Sequence, residues 1–209
     1  MTNNSALLAT LQQAGIIDNA TAQQLELVFA SFEVSGQKWA VEIRQTASIP
    51  YPPELWGRLE KAATLPAVDY MQLHVDYGHW IAATANEFII ANHLEYQVQL
   101  IGLYGHTAID SPSTKLSHQL GDAAAVAAIT GVNVVSELKQ IDLALGGQAS
   151  SFYISAEQLL PLTDDVHKEA FYAAFFALLR WREENNIKAA DSNAVRDSIG
   201  GAVWVGQEW

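Results

Sequence analysis

The stretch that decides the fold spans residues 100–148 and reads LIGLYGHTAIDSP, then STKLSH, then QLGDAAAVAAITGVNVVSELKQIDLALGGQ. The apolar run 100–103 is typical of a buried strand, and Gly105 marks a sharp turn behind it. Small residues over 121–130 predict a helix, and the apolar run 132–135 predicts a second strand. Because strand, turn, helix and strand follow one another, we expect an open α/β sheet with a small-molecule site at its strand ends.

Glycines and polar side chains follow both predicted strands. Gly105, and the pair Gly146 and Gly147, can cradle a phosphate or a sugar, or they can serve tight turns. His106, beside Thr107, can contact a ligand or satisfy a turn. The pattern alone leaves both interpretations open.

The N-terminal third predicts a β-hairpin. Apolar and polar side chains alternate over 25–32, and a second run of period two (38–44) follows the turn at Ser35 and Gly36. Residues 5–15, ahead of the hairpin, fit either a helix or a strand. The residues expected on one side of the hairpin strands are Leu25, Leu27, Phe29 and Ser31, followed by Trp39, Val41 and Ile43.

Three helices and a last strand complete the predicted lobe. Pro53 precedes a short helix over 54–63, and residues 69–92 show the spacing of a long amphipathic helix. Residues 164–184 are apolar nearly all round, which predicts a buried helix, and 202–205 predicts a short strand. On the long helix, a thin stripe suits close packing on a sheet, and it consists of Gly78, Ala82 and Ala85.

Charge and composition exclude several classes of function. The formal net charge is −12, and the 11 Lys and Arg residues form no basic stripe, so we expect neither nucleic acid nor an anionic membrane as a partner. The absence of cysteine excludes disulfides, thiolate metal sites and a Cys nucleophile. The N-terminus MTNNSALLATLQQ has no signal-peptide pattern, so we expect a cytoplasmic protein without a membrane span.

Several acidic residues and histidines are candidates for chemistry. Asp122 and Asp142 can act as general bases, or they can cap a helix and shape a turn. Glu169 on the predicted buried helix is costly unless it is paired or bound to something. No Ser-His-Asp arrangement and no phosphate-binding GxxxxGK[ST] motif occurs in the sequence. Metal binding is not expected, because no i, i+4 pair occurs among the histidines of the long helix: His74, His79 and His93.

Four successive motifs resemble those of anhydro-N-acetylmuramic acid kinases, sugar kinases of the actin-like superfamily that work in peptidoglycan recycling. The motifs are Gly105-His106-Thr107, Gln119-Leu120-Gly121-Asp122, Thr130-Gly131-Val132 and Asp142-Leu143-Ala144-Leu145-Gly146-Gly147-Gln148. The likeness extends to LELVFASFEV, Lys168-Glu169-Ala170, Arg196-Asp197-Ser198 and Gly200-Gly201-Ala202. The family cleaves the 1,6-anhydro ring and phosphorylates the sugar with ATP and magnesium.

The resemblance implies both a fold and a pocket. The implied fold is a single ribonuclease H-like, actin-like lobe of the α/β class, with a mixed sheet, an N-terminal antiparallel hairpin and helices packed on it. The implied remnant of the sugar pocket consists of Gly105, His106, Thr107, Asp142, Gly146, Gly147, Gln148 and Glu169.

The phosphate loop departs from the family pattern. The family reads roughly GLMSGTSLDG, and a gapless alignment sets it against GIIDNATAQQ, residues 15–24. Phosphoryl transfer depends on backbone amides and a metal clamped around the phosphates, and Gln23 cannot replace a carboxylate at magnesium. The degenerate loop contains Asp18, together with Asn19 and Gln24 in place of two glycines and Gln23 in place of the acidic residue.

Other family motifs are altered as well. Where the family has a histidine before a proline, this sequence has Asp110. The family's DFR is replaced by Glu137-Leu138-Lys139, so the planar guanidinium of the arginine is lost. The family's motif GGQGAPLVP is replaced by GGQASSFYI in this sequence, and its TGA is replaced by Ser192-Asn193-Ala194.

The interval 149–165 holds only 17 residues where the family carries its second, nucleotide-binding lobe with the aspartate implied to be the base. Loss of a general base alone costs about 10²–10⁴ in rate. We therefore expect a catalytically inactive, single-lobe protein over 1–209 that uses neither ATP nor magnesium and acts as a binding or regulatory subunit. A residual sugar-binding module and an active kinase are the alternatives.

Loss of a lobe exposes the face on which it packed, which predicts a homo- or hetero-oligomer. Candidate contact residues are Phe152, Tyr153, Trp204 and Trp209, although the two tryptophans can equally belong to the core.

Overall fold

The computed structural model describes residues 5–11, 23–35, 38–144, 172, 174, 175, 177–179 and 202–204. The predicted glycine loop, Glu169, Phe152, Tyr153 and Trp209 lie outside these residues.

A six-stranded mixed sheet forms the centre of the described structure. Its strand order is β3-β2-β1-β4-β7-β8, in which the β1–β4 and β4–β7 pairs are parallel and the others antiparallel. The predicted α/β lobe with an N-terminal antiparallel hairpin is thereby confirmed, and the segment that fitted a helix or a strand begins with a strand. The strands are β1 (Ser5–Leu11), β2 (Gln24–Ser35), β3 (Lys38–Pro50), β4 (Leu100–Leu103), β7 (Asn133–Ser136) and β8 (Ala202–Trp204).

A separate two-stranded antiparallel ribbon connects β4 to the third helix. It consists of β5 (His106–Ser111) and β6 (Leu116–Leu120), joined by a 3-10 turn at Pro112–Thr114. The sequence did not predict this ribbon, because apolar and polar residues do not alternate strictly along either strand.

Within residues 51–144, four α-helices flank the strands: α1 (Pro53–Leu59), α2 (Ala67–Ala91), α3 (Ala123–Thr130) and α4 (Leu138–Ala144). Pro53 occupies the first turn of α1, where its missing N–H costs nothing. α3 ends at Gly131, whose φ of 68° is the left-handed conformation that glycine tolerates best. The described residues within 164–184 that are helical are all buried, as predicted: Tyr172, Ala174, Phe175, Ala177, Leu178 and Leu179.

The hairpin differs from strict alternation. Leu25, Leu27 and Phe29 are buried as expected, but Phe32 is fully buried as well and stacks on Phe175 with ring centroids 5.8 Å apart. Both faces of β2 are therefore covered over residues 28–32. On β3, Ile43 is 39% exposed, so its expected burial is wrong. The cause is its place on an edge strand.

The stripe of small residues on α2 packs against a helix start and not, as expected, on a sheet. A Cβ on Gly78 would lie 2.6 Å from the backbone nitrogen of Asp122, the residue that caps α3. Ala82 and Ala85 are fully buried in the same core. The glycine allows the two helices to approach more closely than any side chain would permit.

No helix among the described residues is both long enough and apolar enough to cross a membrane.

Two mid-helix glycines should respond oppositely to alanine. Gly57→Ala places its Cβ where no atom lies within 4 Å, so it should raise the free energy of unfolding by about 0.5–1 kcal/mol through helix propensity. Gly78→Ala should lower it by about 1–3 kcal/mol, because the backbone of Asp122 must shift. Denaturant unfolding followed by circular dichroism measures both. Stabilisation by Gly78→Ala would contradict the close approach of α2 and α3.

Candidate functional site

A cavity of about 280 Å³ opens at the carboxyl ends of β4 and β7. Because β4 and β7 are parallel, Tyr104 and Glu137 leave the sheet at the same edge. α3 begins beside them, so the cavity occupies the position where open α/β sheets bind ligands. Its lining residues are Met71, His74, Leu103, Tyr104, His118, Gln119, Gly121, Asp122, Ala123, Ser136, Glu137 and Gln140.

Two glycines with positive φ stand at the two ends of the ribbon beside the cavity. Gly105 has a φ of 77°, and a Cβ there would collide with the carbonyl oxygen of Leu120. Gly121 has a φ of 120°, and a Cβ there would lie 3.2 Å from Cδ1 of Ile81. These conformations allow the start of β5 to pair with the end of β6, and β6 places His118 and Gln119 at the cavity.

Asp122 joins α3 to α2. Its carboxylate accepts a hydrogen bond from the backbone N–H of Ala124 at 2.9 Å, which confirms the capping alternative. Its own backbone N–H donates to the carbonyl oxygen of His74 at 3.1 Å. The same residue also lines the cavity, so its carboxylate stands at the ligand space as well as at the helix start.

Two neutral histidines face each other across the α2–β6 boundary. The backbone N–H of Gly121 donates to Nδ1 of His74 at 3.2 Å, which places the proton of this imidazole on Nε2. Nδ1 of His118 lies 2.8 Å from the hydroxyl of Tyr70, and the two imidazole centroids are 5.7 Å apart. Burial lowers the pKa of both histidines, while Asp122 and Glu137 oppose that shift at His74 and His118 respectively.

Glu137 follows β7 in a left-handed backbone conformation, with a φ of 61°. Such a conformation costs a residue with a side chain about 1 kcal/mol, and such strain is concentrated at ligand sites in proteins. The side chain is exposed and lines the cavity. Among the described residues it has no hydrogen-bond or ion-pair partner, so its carboxylate is open to a ligand.

Lys139 lies two residues further on and is turned away to another partner. Its Nζ donates to the carboxylate of Asp110 at 2.7 Å, and the lysine is 7% exposed. These are two of the positions at which the sequence departs from the family pattern. No Lys or Arg occurs among the described residues that line the cavity.

The predicted pocket residues within the described part of the chain lie next to the cavity wall but do not line it. His106 donates through Nε2 to the carbonyl oxygen of Leu59 at 3.1 Å, and Thr107 accepts from the amide of Gln119 at 3.4 Å. Gly105 forms the turn, and Asp142 is buried in α4. Gly146, Gly147, Gln148 and Glu169 lie outside the described residues.

Of the predicted phosphate-loop residues, Gln23 and Gln24 lie at the same sheet edge, because Leu11 at the carboxyl end of β1 pairs with Glu26 and Thr10 pairs with Leu103. Asp18 and Asn19 lie outside the described residues. The backbone of Gln23 accepts from the N–H of Tyr51, and the amide of Gln24 donates to Glu26 at 2.6 Å. Neither glutamine lines the cavity.

The sequence did not predict that His74 and His118 line the cavity together. His74 was considered only as a metal ligand along one helix, whereas its partner His118 comes from a strand 44 positions later. The available signal was the position of His118 directly before the Gln119–Asp122 motif. Periodicity cannot reveal such a contact, because it depends on the crossing of α2 and β6.

The described residues do not fit a nucleotide with magnesium. They contain no group of three His, Asp or Glu residues that could hold a metal ion. Asp122 is already engaged in capping, and no Lys or Arg among the described residues lines the cavity to balance phosphate charge.

Comparison with known proteins gives a match to the family model of anhydro-N-acetylmuramic acid kinase over residues 13–191. The chain belongs to this family. The match confirms the resemblance seen in the motifs, and it covers the hairpin, the ribbon and both walls of the cavity.

Curated relatives named anhydro-N-acetylmuramic acid kinase show similar coverage. The chain is 27% identical to that of Acinetobacter baylyi over 74% of its own length and 40% of the relative. It is 33% identical to that of Synechococcus elongatus over 65% of its own length and 37% of the relative. The chain therefore spans about two fifths of the length of the curated relatives it matches.

The stability of the folded protein should depend on His106 at acidic pH. Burial lowers the pKa of this histidine from 6.5 to about 4, partly opposed by its hydrogen bond to Leu59. Between these values the unfolded chain binds more protons, so stability falls as the pH drops from 6.5 to 4, by about 3 kcal/mol. His106→Gln should flatten this decline in urea titrations across that range. An unchanged pH dependence in the variant would contradict the assignment.

Proposed function

We propose that this protein is a catalytically inactive member of its family that binds an amino sugar in the cavity and acts as a binding or regulatory subunit. The observation that carries the proposal is the cavity at the carboxyl edge of the sheet. Its lining combines polar and apolar side chains and, within the described residues, contains no Lys or Arg. Such a site suits hydroxyl and amide groups better than the phosphates of a nucleotide.

Loss of phosphoryl transfer is supported by several departures in sequence. The glycines and the acidic residue of the phosphate loop are replaced over 15–24, and the interval 149–165 is too short for the nucleotide-binding lobe. We therefore propose a single lobe that works without ATP or magnesium. Phosphoryl transfer relies almost entirely on positioning and electrostatic stabilisation of the phosphates. A protein without the phosphate loop and the nucleotide-binding lobe therefore retains little of this catalysis.

Retention of sugar binding is supported by the hydrogen-bonding groups around the cavity. His74, whose Nδ1 accepts from a backbone N–H, can present an Nε2–H donor, while Asp122 and Glu137 supply acceptors. Polar groups of both kinds around a small cavity are what a polyhydroxylated ring requires. We also propose a cytoplasmic location, on the grounds of the family resemblance.

Isothermal calorimetry tests the proposal directly. We expect 1,6-anhydro-N-acetylmuramic acid to bind with a Kd of about 1 mM or lower, which corresponds to about −4 kcal/mol. Incubation with ATP, magnesium and the same sugar should give no ADP above the background of a protein-free control. Turnover of ATP that depends on the sugar would overturn the claim of inactivity, and absence of any sugar binding would overturn the claim of a sugar site.

A role as a subunit is supported by the missing second lobe, because its loss would expose the face on which that lobe packed. The proposed partner is a second copy of the chain or a full-length kinase of the same family. The predicted contact residues Phe152, Tyr153, Trp204 and Trp209 belong to this proposal.

Light scattering of the purified protein, alone and mixed with a full-length kinase of the family, tests the subunit role. We expect either a mass above that of one 22.8 kDa chain for the protein alone, or a complex in the mixture that is heavier than the kinase measured by itself. A monomer in both samples would exclude this role and leave sugar binding by the single chain.

A further inference from the structure

We propose that the boundary between the β5–β6 ribbon and α4 opens and closes, and that this opening admits the ligand to the cavity. We call the boundary the seam. The inference rests on the proposed sugar site for its ligand, whereas the opening itself is a property of the fold. The seam consists of Asp110, Ser117 and Gln119 on the ribbon and of Lys139 and Gln140 on α4.

The ribbon turns a polar face toward α4. Asp110 and Ser117 pair directly in the β5–β6 register, and Gln119 lies two residues beyond Ser117, so these three side chains share one face. Lys139 meets this face from α4, with its Nζ 2.7 Å from the carboxylate of Asp110. Because polar side chains gain little from the hydrophobic effect, the closed seam depends on this ion pair.

Three polar atoms at the seam oppose its closure. Oγ of Ser117 and Oε1 of both Gln119 and Gln140 are buried and have no hydrogen-bond partner among the described residues. A buried acceptor without a partner has lost its hydration without compensation, so all three atoms destabilise the closed arrangement. Opening returns them to water. The ion pair and the unpaired atoms therefore act in opposite directions, which favours a local opening equilibrium.

The seam is also part of the cavity wall. Gln119 from the ribbon and Gln140 from α4 both line the cavity. Neither the ribbon nor α4 belongs to the six-stranded sheet, so the two can separate without breaking its ladder. The opposite face of the ribbon stays anchored, since Nδ1 of His118 lies 2.8 Å from the hydroxyl of Tyr70. Separation at the seam therefore widens the cavity on the side of α4.

The absence of cysteine from the chain makes this opening measurable. Ser117→Cys places a single thiol in the seam, at a position that is 5% exposed. The neutral reagent 4,4′-dithiodipyridine reacts with this thiol when the seam is open, so the labelling rate follows the open fraction when opening and closing are fast. Ser31→Cys on β2, at a position that is 8% exposed, is the matched control that reports opening elsewhere.

Loss of the ion pair should open the seam. In the Ser117→Cys protein, Lys139→Met should accelerate labelling about tenfold, because it removes a largely buried partner of the pair. Asp110→Asn should accelerate labelling as well, and it keeps the test available if Lys139→Met does not fold. Gln140→Leu should slow labelling about threefold, because the closed form then contains one unpaired acceptor fewer.

Two controls separate the seam from the rest of the protein. Labelling of Ser31→Cys should change less than about twofold in each of these variants, since β2 lies outside the seam. Arg58→Met removes an ion pair of similar length, 2.8 Å to Asp76, that joins α1 and α2. It should leave the labelling rate of Ser117→Cys unchanged.

The sugar should hold the seam closed. At a concentration of about ten times the Kd measured by calorimetry, 1,6-anhydro-N-acetylmuramic acid should slow labelling of Ser117→Cys about tenfold. A ligand enclosed in the closed cavity lowers the open fraction by this factor, because the open form does not retain it.

The outcomes separate this inference from the function on which it rests. If the Lys139 and Asp110 variants leave labelling at Ser117→Cys unchanged, or accelerate labelling at Ser31→Cys equally, the inference is wrong. If the sugar binds in calorimetry without slowing the labelling, the seam is not the entrance and the inference is wrong, while the sugar site stands. If no sugar binds, the proposed function fails, and the Lys139 and Asp110 variants still decide whether the seam opens.

Discussion

The close contact between α2 and the start of α3 is the constraint on which the cavity depends. Gly78 lets the backbone of Asp122 approach α2 to a distance that excludes a Cβ. At that distance the backbone N–H groups of Gly121 and Asp122 reach the ring and the carbonyl oxygen of His74. One junction thus places the helix cap, one imidazole and one carboxylate of the cavity together.

The same junction explains why the histidine side is neutral. A backbone N–H can only donate, so the atom of His74 that it meets must accept. Burial of the imidazole lowers its pKa in the same direction. Geometry and desolvation therefore agree, and the tautomer of His74 is a consequence of how α3 begins.

Much of the fold followed from local patterns in the sequence. The buried strands β4 and β7, the long helix α2 and the hairpin turn each have a signal within a window of some ten residues. The two-sided burial of Phe32 has no such signal, since it depends on Phe175, which comes from a helix more than 140 positions later. Alternation along a strand predicts one buried face, and it cannot show that a residue distant in sequence covers the other face.

The site was less predictable than the fold for the same reason. The motifs located Gly121 and Asp122 correctly at the strand ends, because glycine and a capping acid announce a helix start locally. They did not reveal His74, which reaches the site from α2, or the left-handed conformation of Glu137. Motif spacing carries backbone geometry well, but it carries little about which side chains from distant elements meet.

The ion pair of Lys139 and Asp110 joins the ribbon to α4 beside the cavity. A buried ammonium without a partner would cost several kcal/mol, so a lysine at this position is tolerated only if a carboxylate meets it. Asp110 on β5 does so, and it ties the ribbon that carries His118 to the helix that follows Glu137. The two residues that depart from the family pattern therefore balance each other's charge. A cation satisfied in this way braces the wall of the cavity, and it has no charge to spare for a ligand.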